Sequence, residues 1–165
     1  MERRHAFNIY GGVRFGGQLT EDTAYAMGFD HIALCTGAGR PTVLNIPNGL
    51  APGVRQASDF LMALQLTGAA KANSIANLQL RLPVAVVGGG LTAIDTATEC
   101  LAYYVVQVEK FLERFEALSL ELGVDATRAS WSPVEKEIAE EFLMHGRAIK
   151  KERQRAANAE EAPQN

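Results

Sequence analysis

The sequence predicts an α/β fold: an incomplete doubly wound, Rossmann-like parallel sheet with long C-terminal helices. Three observations lead to this prediction. Leu82–Val87 is an apolar run typical of a buried strand, and three glycines and a helical pattern follow it directly. Asp30–Thr36 is a second apolar run bounded by turn residues. Beyond Tyr104, apolar residues recur at helical spacing and lead into a long charged segment.

Composition and charge limit the classes of protein to which the chain can belong. The chain has 165 residues, 47% of them apolar and 21% charged, with a formal net charge of −3, as in globular proteins. We expect no nucleic-acid partner, because the phosphate backbone requires a basic surface. We expect a cytoplasmic protein without a membrane partner, because there is no signal-peptide pattern and no run of about 20 apolar residues. Two isolated cysteines and three scattered histidines provide no metal-binding or catalytic spacing.

Short elements are expected in the first part of the chain. Phe7–Gly17 mixes apolar residues with glycine pairs and predicts one or two short strands with a bend. Thr20 is a typical N-cap for a short helix, and Gly28 is placed to end that helix. Cys35, inside the predicted strand Asp30–Thr36, is interpreted as a small buried side chain.

Two helices are predicted in the middle of the chain. Ala57–Leu66 has an apolar helical repeat, and Ser58 is its expected N-cap. Leu91–Tyr104 follows the three glycines, and Cys100 on this helix is expected to pack against the rest of the protein.

The segment Val105–Leu122 has two interpretations. It is either the second strand of a β-α-β unit or a helix. We favour a helix, because six apolar residues recur at helical spacing while charged residues fill the other side. The six are Val108, Phe111, Leu112, Phe115, Leu118 and Leu122.

The C-terminal part predicts one more long helix. Ser132-Pro133-Val134-Glu135 forms a capping box with proline at the first helical position, and the helix runs to about Ala156. Trp131, just before it, is interpreted as an anchor for the loop. Basic residues alternate with glutamates along the helix, which indicates a solvated face. They are Arg147, Lys150, Lys151, Arg153 and Arg155.

A glycine-rich motif carries the chemistry that the sequence predicts. Val84–Ala93 fits G-x-G-x-x-[G/A], with a strand pattern before it and a helix pattern after it. Gly88 permits the tight turn, Gly90 lets a pyrophosphate approach the backbone, and Ala93 lets the helix pack closely. The free N–H groups at the helix start would bind the phosphates, with Thr92 as a further donor. The plainer alternative is that the glycines only make a turn.

Two acidic residues near this motif have open roles. Glu109 lies 21 residues after Gly88, where the fingerprint expects a residue that binds the ribose. A ribose acceptor there would imply NAD, but a solvated glutamate fits the predicted helix better, so the choice between NAD and NADP stays open. Asp95 is interpreted either as a partner of the helix dipole or as a polar group near the cofactor.

Four segments in order carry a family resemblance. Gly28–Ala38 ends in Cys-Thr-Gly-Ala, in the place of an A-T-G-A strand end. Ile46–Gly49 and Asp59–Leu61 are similar to an I-P-G loop and a D-F-L helix. Gly88–Ala97 is similar to an NAD(P)H turn rather than to an FAD turn. Together they resemble the FAD-dependent pyridine-nucleotide oxidoreductases, nearest to the glutamate synthase small-subunit-like group.

The resemblance implies two interleaved doubly wound domains, one for FAD and an inserted one for NAD(P)H. Residues 1–66 would then be a remnant of the FAD domain with its linker, 67–125 the start of the NAD(P)H domain, and 126–165 a helical C-terminal segment. The motif and the resemblance together give the expected cofactor-binding residues. They are Gly88, Gly89, Gly90, Thr92, Ala93 and Asp95 for NAD(P)H, and Thr36 and Gly37 for the flavin.

We therefore expect a fragment of an FAD-dependent NAD(P)H oxidoreductase, since the family's FAD-binding glycine turn has no counterpart in the sequence. In such a flavoprotein, hydride passes from NADP or NAD in its reduced form to FAD, and electrons continue to an acceptor. The cofactors carry the chemistry, so no catalytic side chain is expected here. The alternative is a non-catalytic fragment that binds nucleotide or associates through its helices. Self-association, or binding to a larger oxidoreductase subunit, is expected in either case.

Overall fold

A computed structural model describes residues 7–37, 39–41 and 43–164 of the protein. These residues form five α-helices. They are α1 (Glu21–Ala26), α2 (Ala57–Leu66), α3 (Leu91–Leu122), α4 (Val124–Arg128) and α5 (Pro133–Ala159). The chain divides into two compact units, Met1–Pro41 and Thr42–Asn165. Among the described residues, no helix combines the length and the apolar character that crossing a lipid bilayer requires.

The predicted α/β fold class is wrong, because the described residues form helices and no sheet. Their one strand-like contact is an isolated bridge between Phe15 and Leu19. Asp30–Thr36 and Leu82–Val87, the two predicted strands, take part in no ladder, and Val87 is 81% exposed. A strand is stable when neighbours bond its N–H and C=O groups and cover its side chains. The described chain supplies no second extended segment that pairs with either run.

The first unit contains the short helix α1, whose predicted ends are confirmed. The Thr20 hydroxyl accepts a hydrogen bond from the Thr23 N–H, and the Thr23 hydroxyl oxygen accepts one from the Thr20 N–H. Gly28 follows the helix with a φ of +94°, a conformation that glycine adopts without strain. Phe7–Gly17 forms no regular strand. Cys35 is exposed rather than buried, because its segment has no sheet to pack in.

Helix α2 packs against α3. Its predicted span, Ala57–Leu66, is confirmed, but its N-cap is Gln56, so Ser58 lies within the first turn instead of capping it. Cys100 of α3 is buried against this helix, as predicted. The buried cluster between the two helices consists of Phe60, Leu64, Ala69, Cys100 and Tyr103.

Helix α3 is continuous over 32 residues and is therefore about 48 Å long. The helical interpretation of Val105–Leu122 is confirmed, and the second-strand alternative is wrong. Val108, Leu112 and Phe115 recur along one side of the helix and are all buried. The two-residue period of a strand would place Leu112 and Phe115 on opposite faces, so only a helix buries both on one side.

Helix α5 crosses α3 at Gly146. A Cβ atom on Gly146 would lie only 2.8 Å from the Val108 carbonyl oxygen. The predicted capping box is confirmed at the start of α5, where the Glu135 carboxylate accepts a hydrogen bond from the Ser132 N–H at 2.7 Å. That bond lowers the pKa of Glu135.

The loop before α5 is anchored by Trp131, as predicted. Its ring lies 5.8 Å from the ring of Phe115 and 6.3 Å from that of Phe111, measured between centroids. The Arg128 guanidinium of α4 lies over the Phe115 ring at 5.2 Å. Aromatic contacts therefore tie the loop and α4 to the second half of α3.

Candidate phosphate-binding turn

The glycine motif forms a turn that ends at the first residue of α3. Gly88 has a φ of +143°, and a Cβ atom built on it would lie 3.3 Å from the Ala93 Cβ. Both observations fit the roles expected of Gly88 in a tight turn and of Ala93 as a small residue beside it. Gly88 to Ala93 therefore form one uninterrupted backbone segment at the start of α3.

The start of α3 has backbone donors that no other described residue bonds. Gly90 is the N-cap and provides no side-chain cap, and its carbonyl oxygen accepts from the N–H groups of Ala93 and Ile94 at 3.0 and 3.2 Å. The N–H groups of Leu91 and Thr92 have no hydrogen-bond partner within the described residues. In an α-helix these first amides point outward and carry the positive end of the helix dipole. An anion is the natural acceptor for them.

The space around these donors is open. A Cβ atom on Gly89 or on Gly90 would meet no atom within 4 Å. The first turn of α3 contains no acidic residue, and Thr92 in that turn is exposed. Asp95 is exposed and lies in the second turn, so it does not place a carboxylate within the first turn. A phosphate group can therefore approach the backbone at this turn.

Thr36 and Gly37, the two residues expected near a flavin, belong to the first compact unit. Both are exposed and lie outside regular secondary structure, and Gly37 has a φ of +67°. The following residue of the resemblance, Ala38, lies outside the described residues.

Glu109 has a partner on α5 that the sequence did not indicate. Its two carboxylate oxygens bond the Arg153 guanidinium, with 3.0 Å between Oε2 and the Arg153 NH2 group. Glu109 is also 18 residues along α3 from Leu91, or about 27 Å. That distance is too long for a ribose acceptor whose pyrophosphate would lie at the helix start. Glu109 is therefore part of the contact between the helices.

The segment before the glycine turn is held on α3 by side chains that the sequence analysis missed. We call Ser74–Arg81 the strap. Four polar residues of α3, which we call the polar ladder, donate to or accept from its backbone. The polar ladder consists of Tyr103, Gln107, Lys110 and Arg114.

Gln107 makes the most complete of these contacts. The Leu80 N–H donates to Gln107 Oε1 at 2.7 Å, and Gln107 Nε2 donates to the Leu80 carbonyl oxygen at 2.8 Å. One turn earlier on α3, the Tyr103 hydroxyl accepts from the Leu78 N–H at 2.8 Å. Gln107 is fully buried, with an exposure of 0%. Its amide therefore satisfies a backbone N–H and C=O that would otherwise lie unpaired.

Lys110 and Arg114 hold the beginning of the strap. Lys110 Nζ donates to the carbonyl oxygens of Ala69 at 2.7 Å and Ala76 at 3.3 Å, and Arg114 donates to that of Ser74 at 2.5 Å. Burial of the Lys110 ammonium, together with the nearby Arg114 charge, lowers the pKa of Lys110. Both cations are therefore used to bind backbone carbonyls.

The end of the strap is tied to α5 by ionic contacts. Arg81 bonds Glu141 at 2.5 Å and Glu137 at 3.2 Å. Glu141 Oε1 is 3.5 Å from the Tyr104 hydroxyl, which is 2.6 Å from His145 Nδ1. Burial, followed by the Glu141 charge, raises the pKa of Tyr104 to about 12. The strap is thus fixed to both long helices.

A signal for the polar ladder was present in the sequence. Its four residues occur at i, i+4, i+7 and i+11, the spacing of a single side of a helix. Polar residues with that spacing are usually assigned to solvent. Here they lie beside the buried apolar side of α3, which is why they reach the strap backbone.

Comparisons with known proteins identify similarity at the level of sequence. The chain is 45% identical over 150 residues to a protein of Rickettsia prowazekii (strain Madrid E) described as "Uncharacterized protein RP006". The match covers 91% of this chain and 20% of that protein, so the chain spans about a fifth of the relative's length. No protein family matches the chain. No solved structure matches it either.

Proposed function

We propose that the turn Gly88–Gly90 and the first residues of α3 bind the pyrophosphate of NAD(P)H. The observation that carries this proposal is a glycine turn leading to a 32-residue helix whose first two residues are exposed and whose first two amides have no partner within the described part of the chain. Such a helix start stabilises an anion through direct N–H donation and through the helix dipole. Thr92 would add a hydroxyl donor at the same place.

We further propose that the chain serves an FAD-dependent NAD(P)H oxidoreductase. The support is the order of the motifs, from Cys35-Thr36-Gly37-Ala38 to the glycine turn, which resembles that family. In such an enzyme the nicotinamide supplies a hydride and the flavin receives it. The residues of this chain would bind and orient the nicotinamide cofactor by its phosphates, and no proton transfer by a side chain is needed.

A non-catalytic interaction fragment is the second candidate. One side of α3 exposes large apolar side chains near the glycine turn, at Leu91 (81%), Ile94 (56%) and Leu101 (62%). Exposed apolar surface of this kind often marks an interface. This candidate predicts association without nucleotide binding, so a nucleotide titration separates it from the first.

The Gly90→Val variant tests the binding proposal. A branched side chain at Gly90 would occupy the open space through which a phosphate approaches the Leu91 and Thr92 amides. The variant should fold, because Gly90 has a φ of −86° and no atom within 4 Å of its added Cβ. We expect isothermal titration with NADPH, NADH and inorganic pyrophosphate to show a loss of affinity of about tenfold or more, which corresponds to about 1.4 kcal/mol.

Gly11→Val is the matched control, because Gly11 also has open space around it and lies in the other compact unit. It should leave the titration unchanged. If Gly90→Val binds NADPH and pyrophosphate as tightly as the unmodified chain, the glycines make only a turn and the proposal fails. Comparing NADPH with NADH in the same series decides the preferred nucleotide.

A further inference from the structure

We infer that Gln107 is a positioning residue for the glycine turn: its side-chain amide anchors the backbone at Leu80 and so fixes the length of free chain that reaches the start of α3. The effect on nucleotide affinity rests on the proposed function of the turn. The anchor itself can be measured without any nucleotide.

The geometry of the anchor is that of a peptide group. Gln107 accepts from the Leu80 N–H and donates to the Leu80 carbonyl oxygen, with distances of 2.7 and 2.8 Å. In an antiparallel sheet, two residues exchange the same pair of bonds. One buried side chain of α3 therefore takes the place of a neighbouring strand at this point.

Leu80 is the last backbone anchor before the turn. Among the described residues, no backbone hydrogen bond involves residues 81–89. Gln107 is 17 residues from Gly90 along α3, or about 25 Å. The ten residues from Leu80 to Gly90 can span at most about 35 Å. The segment therefore has limited slack, and a displaced anchor would displace the turn.

The apolar pattern alone would not hold the strap in place. Leu78, Leu80 and Leu82 alternate with polar residues, so a slide of two residues again presents leucines to the core. Such a slide would move the turn by about 6.6 Å. Gln107 opposes it by bonding the backbone, and Arg81 opposes it through Glu141 and Glu137.

Gln107→Met tests the anchor, because methionine has a similar size and cannot make either bond. We expect hydrogen exchange at the Leu80 amide, followed by NMR, to accelerate at least tenfold. We also expect NADPH affinity to fall several-fold while the chain still unfolds in one cooperative transition. Gln79→Met is the matched control, since Gln79 neighbours Leu80 and is exposed, and it should change neither measurement.

Gln107→Glu gives a second and sharper test. A protonated carboxyl group has one donor and one acceptor, as the amide does, whereas the ionised form has no donor for the Leu80 carbonyl. The charged and titratable side chains in contact with the strap, or with the residues bonded to it, are Tyr103, Tyr104, Lys110 and Arg114 of α3 and Glu137, Glu141 and His145 of α5, and Arg81 belongs to the strap itself. The ionised carboxylate can still accept from the Leu80 N–H, but it repels the Leu80 carbonyl oxygen and is costly to bury. We therefore expect the protection factor of the Leu80 amide in this variant to be larger near pH 5 than near pH 8, whereas that of the unmodified chain is the same at both.

Each outcome decides a different point. If the Leu80 amide stays protected in Gln107→Met, Gln107 is not the anchor. If exchange accelerates but NADPH affinity is unchanged, Gln107 has a structural role only and the positioning inference fails. If the unmodified chain binds neither NADPH nor pyrophosphate, the proposed function fails, and the exchange data still decide whether Gln107 anchors the strap.

Discussion

In a sheet, the N–H and C=O groups of one strand bond those of its neighbour. In this protein, side chains of α3 bond the N–H and C=O groups of the strap instead. Lys110 illustrates what this requires: its buried ammonium contacts the carbonyl oxygens of Ala69 and Ala76. A buried charge is costly unless polar partners replace its water, and burial accordingly lowers the pKa of Lys110. The carbonyls gain a partner from the same arrangement, so loss of the side chain would leave the buried Ala69 carbonyl and the partly buried Ala76 carbonyl without this donor.

Tyr104 predicts a loss of stability at alkaline pH. Burial and the Glu141 charge raise the pKa of Tyr104 to about 12, against about 10 in an unfolded chain. The folded protein therefore holds this proton more tightly, so the stabilisation is complete below about pH 10 and is lost as the pH rises towards 12. We expect the free energy of unfolding, measured with urea, to fall across this range and to fall less steeply in Tyr104→Phe.

The control for Tyr104 is Tyr25→Phe, which removes an exposed hydroxyl from α1. Its slope of unfolding free energy against pH should equal that of the unmodified chain. Tyr103 also has a pKa raised by burial, so some slope remains in Tyr104→Phe. An unchanged slope in Tyr104→Phe would contradict the assignment.

At the scale of the helices, the close contact of α3 and α5 at Gly146 is the one that we expect to control stability. We expect Gly146→Ala to destabilise the protein by about 1–3 kcal/mol, as overpacking of a close contact does. The added Cβ would lie 2.8 Å from the Val108 carbonyl oxygen and 3.1 Å from the Leu112 Cβ. This steric cost opposes the gain of about 1 kcal/mol that alanine normally brings to a helix. Urea unfolding measures the net effect.

Arg147→Ala is the control on the neighbouring exposed position of α5. It should change the free energy of unfolding by no more than about 0.5 kcal/mol. A Gly146→Ala protein that is more stable than the unmodified chain would show that the helices separate easily at the crossing, contrary to the structure.

Helices could be predicted from the sequence because their signals are local. The caps at Thr20 and Ser132 and the stripe along Val105–Leu122 lie within a few residues of what they determine. The sheet prediction failed because pairing depends on a partner segment, which Leu82–Val87 does not have in the described chain. The glycine turn was recognisable as a motif, and its free helix start follows from the local sequence.

The polar ladder could not be predicted in the same way. Its contacts join residues 25 to 41 positions apart, such as Tyr103 with Leu78 and Lys110 with Ala69. Polar residues on a helix are interpreted by default as exposed, and only the packed structure reveals that Gln107 faces a backbone. The spacing of the polar ladder shows that its residues share one side of a helix, but it does not show which backbone that side contacts.

At the scale of the whole molecule, exposed apolar surface predicts self-association. Leu91, Ile94 and Leu101 recur on one side of α3 and are each more than half exposed. Covering apolar surface contributes roughly 25 cal/mol per Å², so a few such side chains suffice for weak association once a partner copy covers them. We expect sedimentation velocity to show a mean mass that rises with protein concentration.

Replacing both Ile94 and Leu101 by glutamine should shift this distribution towards the monomer, because it removes the apolar side while leaving buried residues intact. Leu120→Gln is the control, since Leu120 is 91% exposed and lies 19 residues beyond Leu101 on α3, or about 28 Å along the helix. A monodisperse monomer at all concentrations would contradict the prediction. If Leu120→Gln and the double variant shift the sedimentation distribution equally, the first turns of α3 are not the interface. The association would then depend on general surface hydrophobicity.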